Sequence, residues 1–302
     1  MQFFLVLLIV ILFTSQSFFC KLYTIHYPGC SKNTTAVFVV VSGVITGILA
    51  FVFAGFSFSV SHLTILLGIG NAIILYLYDY FFVKASGEGP YSVQSSILVV
   101  SGLLIPPLYS LLVFHDQLGW VRLVLITLIV GCALLIIDKP NVVSEQKVTL
   151  KFILNCLALA LFNGLYAIMW DIQQRLDLSA EKEEMVAITF IGAAAIALVL
   201  LLIKKPNQLR DVFRQNVKSG LYLLVSSFAS AFAILGLVYV LRFVNVTVLY
   251  TWQNAGILLI SMLASCVLLK EKISVKNLLG CFGMSIMLVL FSLADRLEAI
   301  FC

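Results

Sequence analysis

The chain has 302 residues, of which 62% are hydrophobic and only 11% are charged, with a net charge of +5. Soluble domains carry about 25% charged residues, so this chain has too few charges to cover a water-facing surface of its size. The composition excludes a soluble globular protein, and the lack of any basic run interleaved with aromatics excludes a nucleic-acid binder. The positive charges fall in short gaps between apolar blocks, where they meet lipid headgroups and set orientation.

A membrane span needs roughly 20 mainly apolar residues. On that ruler ten spans are predicted in chain order, at 2–20, 34–54, 62–83, 91–114, 120–137, 151–171, 185–203, 219–241, 246–269 and 275–294. The first lacks a basic leader and a small-residue cleavage pattern before Cys20, so it reads as a span and not as a signal peptide. The gaps carry turn formers, as in Tyr27-Pro28-Gly29, Ser86-Gly87-Glu88-Gly89-Pro90 and Asp138-Lys139-Pro140-Asn141. None is long enough for a soluble domain, and the apolar runs are twice the length of a barrel strand. Gly43-xxx-Gly47 in the second span lets helix backbones approach closely. Pro106-Pro107 in the fourth removes two backbone donors and bends that helix. Most of the seven cysteines lie in apolar stretches without metal spacing and read as small buried hydrophobes. Cys20 and Cys30 flank the first loop and would pair only if it faced an oxidising compartment.

A shift of 155 positions superimposes spans 1–5 on spans 6–10. Phe114-His115-Asp116-Gln117-Leu118-Gly119 lands on Leu269-Lys270-Glu271-Lys272-Ile273-Ser274. Because five is odd, the second repeat inserts upside down, an arrangement typical of secondary transporters with their site between the halves near the midplane. The expected fold is therefore all-α and integral to the membrane, with ten transmembrane helices as two inverted five-helix repeats. These occupy 1–138 and 151–296, joined by a linker at 139–150.

The stretch Leu268-Leu269-Lys270-Glu271-Lys272-Ile273-Ser274, followed by Leu278-Leu279-Gly280 and Gly283, resembles the end of an EamA-type repeat. Asp116, Gln117 and Gly131 form a weaker copy in the first half. The chain thus resembles the ten-helix branch of the drug/metabolite transporter superfamily over almost its whole length, departing from the pattern at His115 and Lys270, where the family usually has Gly. The resemblance implies a bundle of ten helices around a central cavity that opens alternately to each side, and it leaves the substrate open.

Polar groups inside a bilayer are costly and turn toward partners or a watery cavity. Gln16, Gln94, Asn163, Tyr166, Trp252, Gln253 and Asn254 are the substrate-binding candidates on this ground. The competing reading for Ser, Thr and Asn is helix–helix hydrogen bonding, worth about 0.6 kcal/mol each. No acid or base is predicted at the centre of a span. For proton coupling Asp171 is the first candidate and Asp79 the second, each placed toward a helix end. A neutral, amide-rich and aromatic cavity suits a small neutral or zwitterionic metabolite moved by alternating access, with a flippase for an amphiphile or lipid-linked sugar as the alternative. His26, His62 and His115 are scattered and no carboxylate cluster forms, so neither an enzyme nor a metal or other cofactor is expected. The expected partners are a small-molecule substrate and the lipid bilayer, with a homodimer left open, and the expected location is a bacterial plasma membrane. Of the 19 lysines and arginines, 14 fall in the odd-numbered loops, which puts those loops in the cytoplasm and both termini outside. The family resemblance implies termini in the cytoplasm.

Overall fold

The computed structural model describes residues 2–28, 31–55, 60–115, 119–137, 149–176, 178, 181–204, 216–241, 243, 246–269, 274–294 and 297–298. The expected linker 139–150 falls almost entirely outside them, as do Cys30, Asp116-Gln117 and Lys270–Ile273. Among the described residues there are ten α-helices: α1 Gln2–His26, α2 Ser31–Phe53, α3 His62–Glu88, α4 Tyr91–Tyr109, α5 Trp120–Ile137, α6 Leu150–Arg175, α7 Lys182–Lys204, α8 Val217–Val240, α9 Val246–Val267 and α10 Val275–Ser292. Seven of the ten, namely α1–α4 and α6–α8, are long and apolar enough to cross a membrane. Shorter apolar segments occupy α5, α9 and α10. This is a multi-pass membrane protein.

The burial pattern is that of a bundle in lipid. Large apolar side chains such as Phe53, Leu66 and Ile203 project outward, while Thr46, Asn71, Gln94, Ser226 and Ser261 are buried. In lipid the outward apolar faces cost nothing, and polar side chains do better inside the bundle than against hydrocarbon.

Helix ends are fixed by local chemistry. Ser61, Thr149, Asn216 and Ser274 cap α3, α6, α8 and α10, each side chain accepting from the N–H three residues on. Beyond Pro106-Pro107 the backbone of α4 passes into a π-helical turn, Ser110–Phe114. It stops at His115, which takes the left-handed conformation with φ 56° that glycine adopts without strain.

Neighbouring helices run antiparallel, so their ends gather at two poles. At the first pole, here the Lys21 end, Asn216 Nδ2 donates to the His26 carbonyl and the Tyr23 hydroxyl to the Thr34 carbonyl. At the opposite pole, the Arg175 end, the Ser61 N–H and hydroxyl both donate to Glu181, joining the start of α3 to the start of α7. Hydrogen bonds from the Thr64 hydroxyl and from Ser61 hold the Glu181 carboxyl below its ordinary value.

The principal contacts cross between the halves. Helix α2 packs on α7, α5 on α10 and α4 on α9, while α1 packs on α8 and α3 on α6. Gly43 and Gly47 make the α2–α7 approach possible: a Cβ at Gly43 would lie 2.6 Å from the Phe190 carbonyl, and one at Gly47 would lie 2.4 Å from Ile191. Four of the ten helices thus meet at small residues, since Ser226 of α8 also donates to the Gln16 carbonyl of α1. Cys20 is a buried free thiol beside Ser86, packed in the bundle and not in a disulfide.

Candidate functional site

A cavity of about 120 Å³ lies at the centre of the bundle, far larger than a single water needs. Its walls come from α1, α2, α3, α4, α6, α7, α8 and α9, so both halves of the chain contribute. Among the described residues α5 and α10 contribute none; they pack on each other at the periphery through Val121, Leu125 and Phe291.

Four of the sequence candidates, Gln16, Asn163, Tyr166 and Gln253, line this cavity. Asn163 is oriented by its own neighbours, its Nδ2 donating to the Leu98 carbonyl and the Ser101 hydroxyl at 3.0 Å each. Its carbonyl oxygen remains for the cavity. The side chain of Gln253 is buried, and its Oε1 has no hydrogen-bond partner; the same holds for Oγ of Ser42, another lining residue.

The other candidates lie elsewhere. Gln94 is a cross-link between α4 and α3, its Nε2 donating to the Phe82 carbonyl at 3.0 Å and to the Ser86 hydroxyl at 2.9 Å. Trp252 points outward and is 41% exposed. Asn254 is half-buried near Gly102 without lining the cavity. Successive residues of a helix are turned about 100° from each other, so Trp252, Gln253 and Asn254 cannot share one face, and only Gln253 points in.

The two acids separate just as clearly. Asp171 sits in an i, i+4 pair with Arg175 at 2.8 Å, about a third exposed. Arg175 is held in turn by the Ser110 hydroxyl and by the Phe114 ring, 4.1 Å from its guanidinium carbon. This is a pole-side cluster, and Asp171 is not among the cavity-lining residues. Asp79 is 5% exposed and does line the cavity. Sequence reasoning put Asp79 near a helix end because it closed the third span at residue 83. Helix α3 continues to Glu88, which places Asp79 well inside.

Aromatic rings line the same cavity. Tyr78 stacks on Tyr166 with centroids 6.3 Å apart, and Tyr166 meets Trp170 edge to face at 6.0 Å. Phe13, Phe38 and Phe190 complete the apolar wall. No lysine or arginine is among the described residues that line it.

The cavity is closed at the Lys21 end. There Tyr23, Phe38, Phe82, Val83 and Phe152 form a buried apolar plug. The buried Lys21 ammonium donates to the Gly89 carbonyl at 2.6 Å, and Glu88 accepts from Lys151 at 2.5 Å and from Asn155 at 2.6 Å. These contacts tie the α3–α4 turn to α1 and to the start of α6. Toward the other pole the lining extends to Trp170 and to Leu241, the C-cap of α8.

Comparison with known proteins adds the fold and nothing chemical. No family model matches the sequence, and no curated protein sequence matches it. One solved structure, described only as the crystal structure of a protein, superimposes with a TM-score of 0.69 at 16% identity. The match covers 98% of this chain and 98% of the other. The arrangement of helices is therefore one seen before over its full length.

Proposed function

We propose that this chain is a secondary transporter that moves a small metabolite across a membrane by alternating access. In this reading all ten helices span the membrane as two inverted five-helix repeats, as in the EamA-type drug/metabolite carriers that the sequence resembles. The observation that carries the reading is a central cavity lined by both halves, plugged at one pole and extended toward the other. A carrier caught in one half of its cycle has this form.

The helix contacts support the repeat. Exchange of each helix with its counterpart five places along turns the α1–α8 contact into α6–α3 and the α4–α6 contact into α9–α1, and all four are present. The α2–α7, α4–α9 and α5–α10 contacts map onto themselves, as they would across a twofold axis. Of the two carboxylates considered for coupling, Asp79 is the one with access to the cavity, so it takes the place of Asp171 in this scheme.

The test is a pair of distances between the same two helices, one at each pole. Spin labels at Gly87 and Val217 report the Lys21 end of α3 and α8, and labels at His62 and Tyr239 report the Arg175 end. Val217 is 88% exposed and Tyr239 47%, and a Cβ at Gly87 meets only Thr24 at ordinary distance. Alternating access gives two populations at each pole, with the long distance at one accompanying the short distance at the other. A single narrow population at both poles contradicts the proposal.

A further inference from the structure

The geometry points to a substrate class for this cavity: a compact organic monocation with N–H donors, a protonated primary amine on an apolar or single-ring body. The inference rests on the transporter reading above and narrows it. It starts from Asp79, the one aspartate, glutamate, lysine or arginine among the described residues that line the cavity.

Among the described residues no hydrogen bond or ion pair reaches that carboxylate, although it is 95% buried by the measure of its 5% exposure. A buried ion without a partner is among the costliest features a fold can carry. Among the described residues nothing supplies its counter-charge, which leaves that role to a proton or a ligand. The remaining polar groups favour a donor-bearing ligand. Gln253 Oε1 is an acceptor with no donor, and Asn163 has committed both amide hydrogens elsewhere, which leaves its oxygen to the cavity. An ammonium has three N–H donors and no acceptor, and it meets this set of acceptors. A carboxylate ligand would instead face the Asp79 charge.

The rings fix the rest of the molecule. Tyr78, the residue before Asp79, and the Tyr166 and Trp170 rings that continue its array line the same cavity, and aromatic faces attract a cation by about 0.5–2 kcal/mol. Phe13 and Phe190 offer an apolar surface for a short hydrocarbon body. Quaternary ammonium ions would also satisfy the rings but not the oxygens, so the acceptors select against them. The neutral or zwitterionic class expected from sequence assumed a cavity without a carboxylate; Asp79 changes that.

Calorimetry on the full-length protein in lipid nanodiscs tests the class, with 2-phenylethylamine as the probe. Saturable binding is expected, weakened by about tenfold or more in Asp79→Asn, the loss of a charge-assisted hydrogen bond, and retained in Asp79→Glu. The N,N,N-trimethyl analogue should bind about tenfold more weakly than the amine, and phenylacetate should not compete. An unchanged thermal midpoint in Asp79→Asn shows that the variant has folded; a variant that does not fold leaves the trimethyl and phenylacetate comparisons on the native protein to decide. No amine binding, amine binding indifferent to Asp79→Asn, or preference for phenylacetate or phenylalanine overturns the class. The paired distances above are read without any ligand. Their reciprocal change alongside a failed amine test removes only the substrate class, and their absence removes the transporter reading whichever compound binds.

Discussion

Gly43→Leu separates α2 from α7 and loses the native fold, whereas Gly131→Leu, the same change on α5, leaves stability essentially unaltered. At Gly43 the first added carbon would sit 2.6 Å from the Phe190 carbonyl oxygen and 2.9 Å from the Ala194 Cβ. Both obstacles belong to the facing helix or lie one bond from its backbone, so no rotamer change relieves them. Helix α7 must move as a body. Overpacking in a close-packed interior costs about 1–3 kcal/mol even where side chains can adjust, and here they cannot, so the expected loss is about 3 kcal/mol or more. The displacement also disturbs the site, because Ser42 and Phe190 both line the cavity. At Gly131 nothing lies within 4 Å of an added Cβ, and the residue is exposed on the outside of the bundle. Thermal unfolding in detergent, followed by the yield of monodisperse protein, measures both. Equal loss in the two variants would show that the α2–α7 contact is not specially close.

The second expectation is an all-or-none result on orientation. A reporter that fluoresces only in the cytoplasm, fused after Cys302, stays dark. Lys21, Lys84, Lys151, Lys204, Lys218 and Lys276 belong to helix ends at the Lys21 pole, while Arg122, Arg175 and Lys182 belong to the opposite one. Translocation of a lysine or arginine is opposed at each short loop, and the rule counts these residues and not net charge. The start of the first helix, Gln2, and the end of the last, Ser292, lie at the lysine-poor pole, so that pole is expected outside. The cavity, plugged at the Lys21 end, would then extend toward the outer face in this conformation. A bright fusion reverses both assignments together and agrees with the orientation that the family resemblance implies.

Much of the fold was legible because apolar runs and turn formers set helix positions directly. Each of the ten helices overlaps its predicted span, and the Gly43-xxx-Gly47 approach lies where the motif placed it. The errors came at boundaries. Lys21 and Lys84 read as loop residues because charge normally ends a span, yet both lie within helices, α1 and α3, that run on to His26 and Glu88. That misreading moved Asp79 toward a surface it does not occupy. Charge alone cannot reveal a lysine whose ammonium is satisfied by a carbonyl from another helix, as Lys21 is by Gly89.

The site was legible only in part for a different reason. Polar residues in a span face inward, but inward includes both the cavity and the helix contacts. Gln94 and Gln253 look alike in sequence; one is consumed by Phe82 and Ser86, the other lines the cavity and leaves its Oε1 without a partner. Phe13, Phe38 and Phe190 line the cavity, while Phe53 and Phe228 face outward, and hydrophobicity does not tell these sets apart. The pairing of helices across the two halves decides it.

The central claim is that one buried site is reached from each side of the membrane in turn, and position 253 tests it most directly. In a background without native cysteines, Gln253→Cys is treated with a membrane-impermeant thiol reagent, first in right-side-out and then in inverted vesicles. The account predicts labelling from both sides, suppressed from both by 2-phenylethylamine if the amine class is correct. Labelling from one side only, under every condition that traps a conformation, would contradict alternating access through this cavity.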